Sequence, residues 1–253
     1  MTGSRASRRS FLGLGGSAAV AALFAERGLF AQQIDRKLTP TVEEGPFYPT
    51  KLPLDTDNDL IIVNDHVTPA VGEIAHVSGQ LVDASGSPLR NAVIEIWQCD
   101  HSGVYLEEKT GTGGRRGGGR GAPPAGRPGG SPPGGPPGGA ARGSGDDNFQ
   151  GFGRFVTGSK GEYAFRTIKP VPYPGRPAPH VHFKIKAQGR DAWTTQLFIK
   201  GYAGNAQDGI YQGLGRASQE LVSVEFTPMK DAVMPEFSAH FDIVVGGTPE
   251  LPD

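Results

Sequence analysis

Apolar and polar residues alternate over short runs along most of the chain, and Gly- and Pro-rich turns separate the runs. Alternation of this kind marks half-buried strands. It covers residues 76–82, 92–98, 153–156, 162–168, 180–186, 194–199, 220–226 and 237–245, with turns at Asp83-Ala84-Ser85-Gly86-Ser87-Pro88 and Gly158-Ser159-Lys160-Gly161. Beyond the first thirty or so residues no long apolar stripe of period 3.6 appears, and residues 202–217 read as a short helix or an irregular loop. Many short strands with tight turns predict an all-β fold: a two-sheet β-sandwich core with long irregular loops and little helix.

One strand stands apart. In residues 180–186 successive side chains point to opposite faces, so His180 and His182 share one face while Val181, Phe183 and Ile185 take the other. Such a strand can bury its apolar face and still offer two imidazoles to a metal. Lys184 and Lys186 continue the histidine face, so an ordinary solvated strand face is the competing reading. Tyr173 lies seven residues before His180, and a phenol beside two imidazoles suggests a hard, high-valent metal rather than zinc.

Composition narrows the classes. The chain has 253 residues, a formal net charge of −1 and 36% hydrophobic residues, enough for one globular domain and no global reason to bind nucleic acid. Cys99 is the only cysteine, which excludes an intrachain disulfide and a thiolate metal cluster; its alternating surroundings read as a buried structural thiol. Gly 39 and Pro 22 are high, and much of the excess falls in residues 109–145 with Arg115, Arg116, Arg120, Arg127 and Arg142. That segment lacks the apolar content to offset ordering entropy and is expected to be a disordered surface insertion rather than an RNA-contacting element. Loop closure cost rises only slowly with length, so a sandwich tolerates it.

The chain opens with Ser7-Arg8-Arg9-Ser10-Phe11-Leu12-Gly13 and an uncharged run over residues 14–25. Paired arginines before a short, weakly apolar stretch predict a twin-arginine export signal over residues 1–31. The run falls short of the ~20 residues that span a bilayer, so no stable membrane anchor is expected. The passenger domain, residues 38–253, would be periplasmic or secreted.

Further motifs follow in order: Glu44-Gly45-Pro46-Phe47-Tyr48-Pro49, Gly79-Gln80-Leu81-Val82-Asp83, Ile94-Glu95-Ile96-Trp97-Gln98, Gly103-Val104-Tyr105 and Gly161-Glu162-Tyr163-Ala164-Phe165-Arg166-Thr167-Ile168-Lys169-Pro170. Pro172-Tyr173-Pro174, Pro179-His180-Val181-His182-Phe183 and Thr195-Gln196-Leu197-Phe198 complete the set. In this order the segments resemble the intradiol ring-cleaving catechol dioxygenases, the group that includes protocatechuate 3,4-dioxygenase. The resemblance runs over residues 39–245, interrupted mainly by the insertion, and most closely suggests the single-domain protocatechuate-like and secreted members.

The resemblance implies a mononuclear, non-haem Fe(III) centre ligated by Tyr105, Tyr173, His180 and His182. Phenolate is a hard anionic donor that favours Fe(III), and coordination must drive off a proton that an unperturbed phenol holds to about pH 10. The implied reaction cleaves a catecholic ring with O2 between its hydroxylated carbons, giving a cis,cis-muconate-type diacid. Tyr173 would leave the metal and take up a catechol proton. The family places an arginine three residues before the first histidine; here Pro177 holds that position and Arg176 lies one step further away. Arg176 is therefore a candidate with an offset, and Gln196 matches a cavity-lining glutamine. The expected partners are a catecholic small molecule and O2, with a homo-oligomer or a homologous partner subunit left open.

Two other classes compete. A cupin-type metalloenzyme also uses His-x-His on a strand but expects a Glu three to four residues later, where Lys186 and Ala187 stand. A non-catalytic transthyretin-like or adhesin-like binding module shares the hairpin around residues 79–97 but leaves the tyrosines and histidines unexplained. His66, His76, His101 and His240 lack paired spacing and read as structural or exposed, Arg166 as a structural strand residue. Tyr48 reads equally as a packed aromatic or an edge of the substrate mouth.

Overall fold

The computed structural model describes residues 36–64, 67–109, 145–187, 192–230, 232 and 234–246. The expected signal at residues 1–31, His66 and all but the two ends of the insertion at 109–145 lie outside them.

Strand β1 (Ile74–Asp83) is the organising element of one sheet. It pairs antiparallel with β4 (Glu162–Ile168) on one side, and on the other runs parallel first to β9 (Glu236–His240) and then to β10 (Ile243–Val245). The two-residue strand β8 (Thr227–Pro228) closes the edge beside β9. The second sheet has the order β3-β2-β5-β6-β7: Phe152–Val156, Val93–Trp97, His180–Lys186, Trp193–Ile199 and Ser223–Val224. Short helices fill connections: α1 (Leu106–Lys109), a 3-10 turn (Ala203–Gln207), α2 (Gly209–Gly213) and α3 (Arg216–Val222). The all-β sandwich expected from the alternation is the observed architecture.

The two sheets meet across one apolar core. Val77, Leu81, Tyr163 and Phe165 come from the first sheet; Ile94, Ile96, Val181, Phe183, Ile185 and Leu197 from the second. Each such side chain contributes roughly 1.5–3 kcal/mol by leaving water. Because β2 and β5 give their odd-step residues to this core, the period of two turns Glu95, Trp97, His180 and His182 onto the far face of the second sheet. That face is buried as well, under residues 43–49 and the loops that follow β2 and precede β5.

Two expected strands are corrected. Residues 220–226 are a helix as far as Val222, followed by a strand of only two residues. Ala217, Gln219, Glu220 and Leu221 are good helix formers, and Val222 docks on Ala178 and Phe198, so local propensity and packing agree on a helix. Residues 237–245 are two strands. The break at Phe241 and Asp242 lets the Phe241 N–H reach the Ser78 carbonyl at 2.8 Å and the Asp242 carboxylate accept the Gln80 N–H at 2.9 Å. A Cβ on Gly79 would sit 2.0 Å from the Phe241 carbonyl oxygen, so this close approach requires glycine there. Residues 202–217, read as helix or irregular loop, hold the 3-10 turn, α2 and the start of α3.

Candidate metal centre

Three pieces of chain deliver the candidate side chains. β5 presents His180 and His182, which are 1% and 2% exposed. Cross-strand register sets Trp97 opposite His182, and the two rings stack at 4.7 Å with 8° between planes. His180 donates its Nδ1–H to the Ala178 carbonyl at 2.7 Å, which fixes the tautomer and leaves Nε2 with a free lone pair.

The loop after β2 carries Tyr105. Buried Asp100 folds this loop by accepting from the Ser102 N–H (2.9 Å), the Ser102 hydroxyl (2.7 Å) and the Val104 N–H (3.1 Å). Tyr105 is 1% exposed and stacks on Phe47 at 4.4 Å. The third piece is the turn Tyr173-Pro174-Gly175-Arg176, closed by reciprocal backbone bonds of 3.1 and 2.9 Å. Gly175 supplies the positive φ of +90° at its tip. Gly103 has φ +81°, and a Cβ there would lie 3.1 Å from the Tyr173 Cβ, so the two tyrosine loops meet through this glycine.

The four rings converge. Centroid separations are 4.8 Å for His180–His182, 5.2 Å for Tyr105–Tyr173, 5.6 Å for Tyr173–His180 and 6.0 Å for Tyr105–His182. The Tyr105 hydroxyl, His180 Nε2 and both ring nitrogens of His182 are buried without a hydrogen-bond partner. Orphaned buried polar atoms cost about 1–3 kcal/mol each, and three neighbouring side chains that all carry them form a donor set without its acceptor. Phenol oxygens and neutral imidazole nitrogens are the donors a hard or borderline cation takes, so the residues present fit a metal. No group of three His, Cys, Asp or Glu side chains among the described residues could do so without the tyrosines.

The electrostatics keep these groups uncharged. Burial, then the Arg176 guanidinium, pull His180 down to about 3. Burial, His180 and Arg176 hold His182 well below the ordinary imidazole range. Burial, with the neighbouring Tyr173 phenol, pushes Tyr105 well above the usual phenol value, although the two hydroxyls make no well-formed bond. Burial also raises Tyr173, opposed by its contact with Tyr105 and by Arg176. Neutral imidazoles are metal-ready; the phenols need a cation to release their protons.

Arg176 reaches the site despite its offset. Its Nε donates to Asp208 at 2.9 Å and its Nη2 to Gln196 Oε1 at 2.8 Å, and the side chain is 11% exposed. Buried Gln196 donates its Nε2 to the Glu43 carbonyl at 2.9 Å. Beside them opens a cavity of about 230 Å³ walled by Glu43, Phe47, Tyr173, Pro174, Arg176 and His182, a volume suited to a single-ring ligand. Tyr48 packs instead: its ring meets Trp97 at 5.1 Å and its hydroxyl donates to Glu95 at 2.8 Å. His76 pairs with Glu236 (2.7 Å), His240 with Asp242 (3.0 Å) and Arg166 with Asp59 (2.9 Å), all apart from the site. Sequence reasoning missed Phe47 and Trp97 as ring supports and Asp208 as the partner of Arg176. The first two lie inside quoted motifs; for Asp208 only the fold provides a signal.

Residues 43–115 and 139–247 match the family model Dioxygenase_C, described as dioxygenase. The chain belongs to the intradiol ring-cleavage dioxygenases. It is 28% identical over 189 residues to the protocatechuate 3,4-dioxygenase beta chain of Burkholderia cepacia, covering 72% of this chain and 68% of that one. A hydroxyquinol 1,2-dioxygenase of Corynebacterium glutamicum is 24% identical over 174 residues, covering 62% of this chain and 44% of its own length. The solved dioxygenase domain of a dioxygenase–carbohydrate-binding protein fusion from Streptomyces sp. SirexAA-E shares the fold, with TM-score 0.55 and 23% identity over 83% of this chain and 99% of that chain. Family membership sets aside the cupin and the non-catalytic module. Among the described residues, no helix of this dioxygenase is long and apolar enough to cross a membrane.

Proposed function

We propose that the protein opens a catecholic ring with O2 by intradiol cleavage, yielding a cis,cis-muconate-type diacid, with Fe(III) held by Tyr105, Tyr173, His180 and His182. The observation that carries this reading is the set of unpartnered buried atoms on neighbouring Tyr105, His180 and His182, and membership in the dioxygenase family supports it. Ferric iron there would supply a Lewis acid that stabilises a catechol as its dianion and draws electron density from the ring.

The remaining work falls to the chain. His180, locked by the Ala178 carbonyl, and His182, clamped by Trp97, are held in fixed orientation. Tyr105 is wedged against Phe47 and stays put. Tyr173 lies on the cavity wall and is only partly buried, so it is the phenol with room to move and to take up a substrate proton at its Oη. Arg176 sets a cation beside the ring pocket, where electron-rich ring character is stabilised, and Gln196 orients that cation. Phe47 and Pro174 give the ring an apolar wall.

The same proposal covers export of the enzyme by the twin-arginine route, supported by Arg8, Arg9 and the short apolar run, to the periplasm or the medium. The test is direct: purified protein is assayed for iron, for visible tyrosinate-to-iron absorption and for O2 uptake with catechol, protocatechuate and hydroxyquinol. Stoichiometric iron, colour and a diacid product are expected. Colourless, iron-free native protein would sink the metal reading, and iron without O2 uptake on any of the three would sink the enzymatic one.

A further inference from the structure

The arginine in this chain stands four positions before His180, so strand register alone does not aim it at the ring pocket. The turn that carries it gives no steric support at its tip, where a Cβ on Gly175 would meet nothing within 4 Å. What fixes the guanidinium is Asp208, a fully buried carboxylate between the 3-10 turn and α2. Its Oδ1 caps α2, accepting from the N–H groups of Ile210 (3.1 Å) and Tyr211 (2.9 Å). Its Oδ2 accepts from Arg176 Nε at 2.9 Å and from the Ala178 N–H at 3.3 Å. Ala178 in turn gives its carbonyl to His180 Nδ1. A single carboxylate, anchored by a helix cap, therefore grips both the cation and the residue that orients an imidazole.

We propose that Asp208 is a positioning residue for ring opening, whose charged Oδ2 holds the Arg176 guanidinium at the ring pocket. This rests on the catechol-cleaving reading above. Gln196 holds the other end of the guanidinium, so losing Asp208 leaves the cation tethered at one point instead of two. Small misplacements at a reacting centre are costly, and the expected loss in kcat is between about tenfold and 100-fold.

Asp208→Asn separates the two jobs, because its amide oxygen can still cap α2 while the charge is gone. Asp208→Ser is the second variant, retaining a capping oxygen should the first misfold. The expected result is a fall in kcat with iron content unchanged and KM altered less. Arg176→Ala combined with Asp208→Asn should be no slower than Arg176→Ala alone. A readout independent of turnover is hydrogen exchange of the Arg176 Nε–H by NMR on protein loaded with diamagnetic Ga(III): slow in the native chain, fast in Asp208→Asn. An unchanged kcat in Asp208→Asn overturns the proposal whatever the exchange shows. So do losses that multiply in the double variant, since Asp208 would then act other than through Arg176. Wild-type protein that opens no catechol removes the functional reading instead, and the exchange measurement still decides whether Asp208 holds Arg176.

Discussion

Two buried polar clusters share the outer face of the β3-β2-β5-β6-β7 sheet, and they are built on opposite terms. At one end, fully buried Glu95 accepts from the Tyr48 hydroxyl (2.8 Å), Arg154 Nη2 (2.7 Å) and Lys186 Nζ (2.9 Å). Lys184 bonds Glu44 at 2.6 Å and lies 3.9 Å from the centroid of the Tyr48 ring. Burial alone would raise the Glu95 carboxyl, yet bonds from Lys186, Arg154 and Tyr48 outweigh it and hold the group below its usual range. Tyr48, by burial and by Glu95, is pushed up to about 12. At the other end, His180, His182 and Tyr105 are buried as deeply and leave their central atoms unmatched. In the first cluster only Arg154 Nε lacks a partner, whereas in the second the unmatched atoms are concentrated where the proposed ferric ion would bind.

The sharpest way to break that contrast is to remove a donor from the incomplete cluster. His180→Ala should release the metal and lower ring-opening activity by more than about 100-fold, since even indirect supports of a metal site cost 10–100-fold. Iron content per chain and O2 uptake measure both. If iron and activity persist, His180 is not a ligand.

Next in size is a pH effect on the metal-free protein. Both histidines have folded-state pKa values below 6.5, so the unfolded chain binds more protons as pH falls. Their contribution is complete above pH 6.5 and is lost as pH falls through the window below it, at about 1.4 kcal/mol per pH unit for each histidine. Glu95 and Asp208, whose values are lowered, lose their contribution in the same direction, as pH falls, but only once pH drops into and below the ordinary carboxylate range. Urea midpoints between pH 6.5 and 4.5 therefore report mainly the imidazoles, and a His180→Gln/His182→Gln double variant should show a much flatter slope.

Much of this was legible in the chain because a period-two pattern carries both fold and site. Residues 162–168 and 180–186 read from alternation with the bounds later observed, and that alternation already put the two imidazoles on one face. Tyr105 was reachable only by resemblance, since its place depends on Asp100 folding a loop that has no period. The burial of the outer face was not legible, because the cover comes from residues 43–49, far away in sequence. Residues 220–226 misled for a different reason: Val222 and Val224 alternate as in a strand, while the preceding helix formers and the docking of Val222 decide otherwise.

The completed cluster offers a middle-sized effect. Glu95→Gln leaves Lys186 and Arg154, both more than a third exposed, able to turn toward water, so the cost should be about 2 kcal/mol rather than the 3–5 of a fully enclosed pair. Thermal and urea unfolding measure it. A neutral Glu95→Gln would mean the network contributes no net stability and the contrast between the clusters is only geometric.

The smallest effect is also the most discriminating, because its sign inverts. In the metal-free protein the Tyr105 hydroxyl is buried with no partner, so Tyr105→Phe removes an unpaid desolvation and should stabilise by about 1 kcal/mol. With metal bound, the same change deletes an anionic donor, so it should weaken iron retention and bleach or shift the visible absorption. A residue serving only packing would give one sign in both states, and so would a phenol with an undetected partner inside the protein. Measuring Tyr105→Phe stability with and without iron thus separates the two origins of a buried hydroxyl. A loss of stability in the metal-free state would mean the cluster is internally satisfied, and the case for a missing cation at this centre would go with it.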